Sequence, residues 1–475
     1  MVCLGGRDLC TVSPAGFSGP LYRITGGGSV RIHHINAYLE GGAAVAARRL
    51  HLGLLSEGFE SRYWHAEPAW DAGPLAEDAS YCLLPWSMPT PRHPLQLGRA
   101  LMRWSRERLL RTIYRKGAPQ RSGMYSGPVR PYDTPFRGDL AACDLVHLHW
   151  VSRILDYRSF FASLRLTMPL VWTLHDMQPL TGGCHHAFDC ERFREGCGFC
   201  PILGRPGPRD LSTRDHAIKK AALAGHPLHV VTPSRWLEHL ARGSSVLPET
   251  ASFHTIRNGI SLEQFFPVDK PAARRALGLP EHGIVVAFAA ESLRNEPKGI
   301  REFLEAISRL PAPCQVTGLL FGKDEPPSGI ATVPLVNLGF LTDPAQQRLA
   351  FSAADIFALP SHAETISQTA VEALACGTPV AAFRVGGVPE VVRHGETGLL
   401  ARPRDAVDLS QAMRTLAENP ALRQRMADAG QALVREEFAV SVQVRRYREI
   451  YAAAVAGFPA PKPLPASICH NPLGE

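Results

Sequence analysis

Two glutamates in the C-terminal half of the chain are eight positions apart, and their spacing allows both to face one polar ligand. Glu364 and Glu372 follow the apolar run 356–359, which reads as a strand. A helical pattern then continues through 373–376 and ends at Gly377. We therefore expect Glu364 in the loop at the mouth of a helix and Glu372 about two turns inside it. On its own, such a pair is equally typical of a solvated helix face.

The residues that follow extend the pattern and carry a family resemblance. Residues 377–383 read as the next strand, 386–390 spell Gly-Gly-Val-Pro-Glu, and 394–400 spell His-Gly-Glu-Thr-Gly-Leu-Leu. Together with the two glutamates, this region resembles the signature of retaining glycosyltransferases of family 4, the group 1 glycosyl transferases. The resemblance implies that Glu364 contacts the sugar of a nucleotide-sugar donor and that Glu372 binds its ribose hydroxyl groups.

Residues 291–299, Glu-Ser-Leu-Arg-Asn-Glu-Pro-Lys-Gly, place cations after the predicted strand 283–289. The diphosphate of a nucleotide sugar gains negative charge as the glycosidic bond breaks, so a transferase without a metal must supply cations there. The stretch resembles the family's Arg and Lys-Gly clamp, which implies that Lys298 and Arg294 hold the diphosphate. The family places its arginine five positions before the lysine, where this chain has Leu293. The alternative is a salt-bridged surface loop.

Two features of the N-terminal half fit the same kind of site. Gly41 and Gly42 follow the predicted strand 30–36 and begin a helix, where backbone amides and the helix dipole can meet a ligand. His175 ends the predicted strand 170–176, at the edge where open α/β sheets bind ligands. The resemblance implies that the glycines lie over the donor phosphates and the acceptor, and that His175 contacts the donor sugar. His147 and His149 either line the same cleft or belong to the core.

Apolar strands alternate with helical stretches along the chain, which predicts an α/β fold with parallel sheets covered on both faces. At 475 residues, 45% hydrophobic and 20% charged, the chain is expected to form two globular domains. The resemblance implies the GT-B arrangement of two Rossmann-like domains that face a central cleft. The predicted segments are an N-terminal extension (1–27), an acceptor-side domain (28–260) with a basic insertion (66–138), a nucleotide-sugar-binding domain (261–440), a crossover helix (441–456) and a Pro-rich tail (457–475).

The net charge of +7 is concentrated in one segment. Residues 92–121 contain nine arginines and lysines and a single acid, Glu107, with apolar residues at roughly helical spacing. One interpretation is a basic amphipathic helix that contacts the inner surface of an anionic membrane, where a lipid-linked acceptor would lie. The other is a solvated insertion packed on the first domain. Residues 1–20 resemble neither a secretory signal nor a membrane span, so a cytoplasmic location is expected.

Four of the eleven cysteines, Cys184, Cys190, Cys197 and Cys200, lie close together in the sequence. In a cytosolic protein this clustering favours a structural zinc site over disulfides, although the spacing is not that of a standard zinc finger. Reduced thiols without a metal and disulfides remain the alternatives. Residues 172–201 resemble a subgroup of family 4 that is associated with bacterial exopolysaccharide assembly of the colanic-acid type, and that resemblance does not assign the cysteines a role.

The resemblance implies a glycosyltransferase that moves a sugar from a nucleotide-sugar donor to a saccharide or lipid-linked saccharide, with retention of configuration. Such transfer is described as front-face substitution and requires no cofactor, with the base bound near residues 339–341. No nucleic-acid partner is expected. The alternatives are a nucleotide-sugar epimerase or hydrolase on the same fold, and a non-catalytic subunit of a polysaccharide assembly complex.

Overall fold

The computed structural model describes residues 30–67, 78–85, 94–116, 124–311 and 314–456. The predicted extension 1–27, the tail 457–475 and parts of the insertion 66–138 lie outside these residues. The strands are β1 (Arg31–Ile35), β2 (Glu60–His65), β3 (Tyr81–Leu83), β4 (Leu145–Leu148), β5 (Leu170–Thr173), β6 (Leu228–Thr232), β7 (Ser252–Thr255), β8 (Ile284–Ser292), β9 (Val316–Lys323), β10 (Leu335–Asn337), β11 (Ile356–Leu359), β12 (Val380–Phe383) and β13 (Gly398–Ala401).

The α-helices lie between and after these strands and cover both sheets. They are α1 (Gly42–Ser56), α2 (Pro94–Arg115), α3 (Tyr157–Ser163), α4 (Leu211–Leu223), α5 (Arg235–Arg242), α6 (Lys270–Ala276), α7 (Ile300–Ile307), α8 (Pro344–Ala353), α9 (Gln368–Ala375), α10 (Ala406–Glu418), α11 (Pro420–Leu433) and α12 (Val440–Ala456). Among the described helices, none is long and apolar enough to cross a membrane.

The strands form two separate parallel sheets, as the alternation of strands and helices predicts. The first has the order β3-β2-β1-β4-β5-β6-β7 and the second the order β10-β9-β8-β11-β12-β13. Each sheet carries buried apolar residues on both faces, because successive side chains of a strand point to opposite sides. The fold is therefore the two-domain GT-B arrangement. Strands β2, β3, β7 and β13 were not predicted; β2 and β7 carry several polar residues, and β3 has only three residues.

The last helix, α12, returns to the first sheet. Val444, Tyr447 and Tyr451 pack in the same cluster as Ile32 of β1 and Leu145 of β4. Nearer the carboxyl ends of these strands, the same face of the sheet becomes polar. There the Tyr451 hydroxyl lies 2.8 Å from Nδ1 of His147, so residues far apart in sequence meet beneath the helix.

Candidate active site in the cleft

The carboxyl edge of the second sheet brings together two of the predicted residues. Glu364 lies in the loop between β11 and α9, and Lys298 lies in a 3-10 turn after β8. Nζ of Lys298 is 3.1 Å and 3.2 Å from the two carboxylate oxygens of Glu364. Gly299 follows with φ of 78°, and a Cβ there would stand 2.0 Å from the carbonyl oxygen of Pro360. Only glycine therefore allows this turn to pack against the end of β11.

A second glycine turn supports the loop that carries Glu364. Gly386 has φ of 50°, and a Cβ on it would lie 1.9 Å from the carbonyl oxygen of Glu364. The amide of Gly387 donates a hydrogen bond to that same oxygen at 3.1 Å. The Gly-Gly pair after β12 thus packs against the backbone of Glu364 and holds its carbonyl group in place. This contact gives a physical reason for a motif that the sequence analysis used only for resemblance.

Glu372 makes an ion pair across the cleft with a residue that the sequence analysis did not identify. Nη2 of Arg49, on α1, lies 2.8 Å from Oε1 of Glu372, and both side chains are largely buried. Nη1 of Arg49 donates to Gln368, whose own amide donates to the carbonyl of Gly42. Burial raises the pKa of Glu372, and the guanidinium of Arg49 opposes that rise. Arg49 was missed because its partner is more than 300 positions away.

Glu372 is nearer the start of its helix than expected. Helix α9 begins at Gln368, and the hydroxyl of Ser367 caps it by accepting a hydrogen bond from the amide of Ala370. Glu372 is therefore about one turn inside the helix rather than two. The late start was not recognised because Ser361 and Thr365 offer the same cap chemistry a few residues before Ser367.

His175 lies at the carboxyl edge of the first sheet, next to the loop of Glu364. Its carbonyl accepts a hydrogen bond from the hydroxyl of Thr365 at 3.0 Å. Burial lowers the pKa of His175 to about 4, so its imidazole is neutral near pH 7. The sequence left two positions open for His147 and His149, the cleft or the core. They are 0% and 2% exposed, so both belong to the core.

The loop that follows His175 contains further polar residues directed at this region. Oδ2 of Asp176 accepts a hydrogen bond from the indole of Trp150 and lies 2.6 Å from Nδ1 of His185. Although burial opposes it, the interaction with His185 holds the pKa of Asp176 at about 2. His186 is influenced by the charges of Glu364 and Lys298, and its Nδ1 is buried with no hydrogen-bond partner among the described residues. His186 is not among the site residues that the sequence analysis named.

The glycine loop leaves open space at the start of α1. Gly41 has φ of 89° and ψ of 163° and is the N-cap of the helix. A Cβ added at either Gly41 or Gly42 would meet no atom within 4 Å. The Cβ side of this glycine loop is therefore open, next to the backbone amides that begin the helix.

Arg294 is less well placed than Lys298. Leu293, at the position where the family has its arginine, is fully buried in the core of the second domain. Arg294 is exposed, and its backbone amide donates to the hydroxyl of Ser292.

Near the expected base site, Phe340 is 41% exposed, and Nζ of Lys323 lies 4.6 Å from its ring centroid. An exposed aromatic ring with a cation on one face leaves the other face for stacking.

The four clustered cysteines line one small cavity of about 20 Å³ together with Tyr125 and Phe193. None of the described cysteines is in a disulfide. Burial raises the pKa of Cys184 to about 12 and that of Cys197 to about 11, so both are thiols in the metal-free protein. A closed zinc tetrahedron needs sulfurs under 4 Å apart. Among the described residues, ligand atoms of His34, His147 and His149 lie within 4.8 Å of one another, whereas no three of the cysteine sulfurs are that close together.

Comparison with known proteins gives the same fold and a sequence family. Residues 283–419 match the family described as glycosyl transferases group 1. The chain is 32% identical over 306 residues to the D-inositol 3-phosphate glycosyltransferase of Mycobacterium sp. (strain KMS), over 60% of this chain and 61% of that protein. It thus spans about three fifths of that relative's length. It is 31% identical over 334 residues to the enzyme of the same name from Thermobispora bispora, over 66% of this chain and 71% of that protein.

A solved structure agrees with the fold. The Anabaena protein HepE, crystallised with UDP and glucose, superposes with a TM-score of 0.59 at 18% identity and covers 89% of this chain. All of that protein's chain is included in the match. At this level of identity the likeness concerns the fold.

Proposed function

The chain belongs to the glycosyl transferases of group 1, and on that premise we propose that it is a glycosyltransferase of the retaining type. It moves a hexosyl unit from a nucleotide-sugar donor to a saccharide or lipid-linked saccharide acceptor. The observation that carries the proposal is the pairing of Lys298 with Glu364 at 3.1 Å, beside a loop whose Thr365 hydrogen bonds to the backbone of His175. A cation and a carboxylate therefore lie together in the cleft, in a loop that contacts the backbone of His175.

Each residue has a role in the proposed transfer. The bond from C1 of the sugar to the leaving phosphate oxygen breaks, and the nucleoside diphosphate leaves with the electron pair. Lys298, with a smaller contribution from Arg294, stabilises its charge. The acceptor hydroxyl forms the new bond on the same face of the sugar and gives its proton to the leaving phosphate. Glu364 and His175 orient the sugar, and no metal is needed for the step.

The remaining donor contacts come from the two domains. Glu372 binds the ribose hydroxyl groups. Arg49 contacts only Oε1 of this carboxylate, so Oε2 can accept hydrogen bonds from the ribose while the ion pair remains. Gly41 and Gly42 offer backbone amides to the phosphates, and Phe340 stacks on the base. The Anabaena protein was solved with UDP and glucose, which supports a uridine nucleotide as the first donor to test.

An anionic group on the acceptor is supported by a buried arginine in the first domain. Arg130 is 8% exposed, and its Nε and Nη2 have no hydrogen-bond partner among the described residues. Burial lowers the pKa of Arg130 to about 10, with the cations Arg111 and Arg153 nearby. Asp156 is the acid that acts on this guanidinium, and its two unsatisfied nitrogens favour a phosphate or diphosphate ligand. The two matched relatives are named as glycosyltransferases of inositol 3-phosphate, which also carries a phosphate.

The exposed face of α2 supports placement at a membrane surface. Glu107 faces the protein and pairs with Arg214 at 2.8 Å, while Leu101, Met102, Trp104 and Leu109 are 44% to 69% exposed. Arg106 and Arg108 lie on the same exposed side. Apolar side chains beside cations fit the interface of an anionic bilayer. We accordingly propose peripheral binding to the inner membrane face, where a lipid-linked acceptor for exopolysaccharide or other surface-glycan synthesis would lie.

The deciding experiment is donor binding followed by transfer. Thermal shifts are measured with UDP-, GDP- and ADP-sugars for the wild type and for Glu372→Ala, and the product of the stabilising donor is then analysed by NMR. Stabilisation by one nucleotide series that is lost in Glu372→Ala, together with an axial product from an axial donor, supports the proposal. Release of the nucleoside diphosphate without an acceptor would favour an epimerase or hydrolase, and no shift at all would favour a non-catalytic subunit.

A further inference from the structure

A row of three histidines extends from the interior of the first sheet to its carboxyl edge. Nδ1 of His34, on β1, lies 2.9 Å from Nε2 of His149, just after β4. Nδ1 of His149 lies in turn 3.2 Å from Nε2 of His175, just after β5. The rings are nearly parallel, with interplanar angles of 24° and 25°. His34 and His149 are therefore connected in series to the residue that is expected to contact the sugar.

Each of these imidazoles has one ring proton at neutral pH. Burial lowers the pKa of His34 and of His149 well below the usual value, and that of His175 to about 4. A neutral imidazole has one N–H donor and one lone pair. Every contact in the row must pair a donor with an acceptor, so the position of one proton determines the positions of the others.

Only two arrangements of the protons satisfy both contacts. In the first, His34 donates from Nδ1 to His149, His149 donates from Nδ1 to His175, and the proton of His175 is on Nδ1. In the second, all donors point the other way, the proton of His175 is on Nε2, and the proton of His34 is on Nε2. The two arrangements differ in what His175 presents to a ligand at Nδ1, an N–H donor in the first and a lone pair in the second.

The environment of His34 favours the first arrangement. Nε2 of His34 is buried and has no hydrogen-bond partner among the described residues. The second arrangement would place an N–H group there, whereas the first leaves only a lone pair. A buried N–H without an acceptor is rarer and more costly than an unsatisfied acceptor. Nδ1 of His175 accordingly carries the proton, and that atom makes no hydrogen bond to another described residue.

We propose that His34 and His149 are positioning residues that hold His175 in the Nδ1–H tautomer, so that His175 donates a hydrogen bond to an oxygen of the donor sugar. The identity of the ligand rests on the proposed function, whereas the tautomer does not. A sugar hydroxyl or ring oxygen accepts this bond, which orients the sugar. Loss of His34 would remove the constraint on the tautomer of His175, although His34 itself does not contact the ligand.

A metal at the same histidines is a competing use of this cluster. His34, His147 and His149 offer ligand atoms within 4.8 Å of one another. However, the two ring nitrogens of His147 lie 2.8 Å from the Tyr451 hydroxyl and 2.7 Å from the Thr173 hydroxyl. Both nitrogens of His149 are engaged within the row. A metal would have to replace these hydrogen bonds without any carboxylate ligand in the group, so the hydrogen-bonded row is the better account.

The test is ¹⁵N NMR of histidine-labelled, ligand-free protein, with His175 assigned from the His175→Gln variant. We expect a protonated Nδ1 and an unprotonated Nε2 on His175 in the wild type. In His34→Phe, the proton should move at least partly to Nε2, and kcat should fall about tenfold with a smaller change in the donor KM. His34→Asn, which keeps an N–H donor near the position of Nδ1, should restore the tautomer and most of kcat.

Three results would overturn the proposal: a protonated Nε2 on wild-type His175, an unchanged tautomer in His34→Phe, or one equivalent of metal that is lost from that variant. The wild-type spectrum decides even if both variants fail to fold. Because the NMR measurement uses no substrate, an absence of transfer activity would count against the proposed function and leave the tautomer assignment unaffected.

Discussion

Arg49 and Glu372 form an ion pair of 2.8 Å that joins α1 of the first domain to α9 of the second. The carboxylate proposed to bind ribose thus also connects the two halves of the protein. Both side chains are largely buried, at 13% and 9% exposure, so each depends on the other for charge compensation. On the proposed function, donor binding would be coupled to the contact between the domains through this carboxylate.

Arg49→Met should destabilise the protein, because it leaves the Glu372 carboxylate buried without its cation. The expected loss in the free energy of unfolding is about 3 kcal/mol. The double variant Arg49→Met with Glu372→Gln should recover most of that loss in urea denaturation, since no uncompensated charge remains. If the loss in the double variant equals the sum of the losses in Arg49→Met and Glu372→Gln, the two residues are not coupled.

Lys298→Met should reduce kcat/KM for the donor about 100-fold or more, because the leaving diphosphate loses its main cation. Lys298→Arg should retain part of the activity. The matched control is Lys220→Met, which makes the same chemical change at an exposed position of α4. Steady-state kinetics with the donor found by thermal shift would measure all three variants. A similar loss in Lys298→Met and Lys220→Met would contradict the role of Lys298.

The buried histidines should make the protein unstable in acid. Burial lowers the pKa of His33, His51 and His175 from 6.5 to about 4. Between these values the unfolded chain binds more protons than the folded one, so the free energy of unfolding falls as the pH drops below about 6.5 and continues to fall until about pH 4. Each histidine contributes a slope of up to about 1.4 kcal/mol per pH unit.

Urea denaturation of His51→Gln from pH 7.5 to pH 5 would test this dependence. The variant should show a shallower decrease than the wild type, by up to about 1.4 kcal/mol per pH unit. His282→Gln removes a solvent-exposed imidazole and serves as the control. Identical pH profiles for the two variants would argue against a contribution from the buried imidazole.

Structural zinc at Cys184, Cys190, Cys197 and Cys200 stays a prediction. If zinc binds, the four side chains must move so that the sulfurs come together, and the thiols must lose their protons despite the burial that raises their pKa. Metal analysis of protein purified under reducing conditions should then find about one zinc per chain. Cys184→Ser should abolish it, and Cys314→Ser should not. Metal-free, folded wild-type protein would leave reduced thiols as the correct interpretation.

The exposed face of α2 should bind anionic vesicles. Leu109→Glu places a charge among the exposed apolar residues and should reduce sedimentation with vesicles containing phosphatidylglycerol about tenfold. Leu166→Glu, at an exposed leucine outside α2, is the control. Binding should weaken with salt because part of it is electrostatic. Equal binding by both variants would favour the interpretation of a solvated insertion.

The sequence predicted best those features that depend on local residues. The strand, loop and helix around Glu364 and the turn of Lys298 and Gly299 are all determined within a few positions. Their mutual approach, at 3.1 Å between Lys298 and Glu364, follows from parallel strands ending at one edge of a sheet. The resemblance, which rests on motifs, also implies that both residues contact the donor.

Contacts between distant segments were not predictable in this way. No sequence motif distinguishes Arg49 from Arg48. Arg49 reaches Glu372 only because the two domains pack against each other. His34 lies in the predicted strand 30–36, yet its pairing with His149 depends on the strand order β1-β4-β5. Strand order depends on tertiary packing, which a single sequence does not display.

Helix α12 has a consequence for how the protein is made. The hydroxyls of Tyr447 and Tyr451 complete the polar network of Thr173 and His147. During synthesis, the first sheet is translated long before residues 440–456 emerge, so its buried imidazoles must remain partly hydrated until then. The N-terminal domain can therefore reach its final packing only after the whole C-terminal domain has been translated, although it comes first in the sequence.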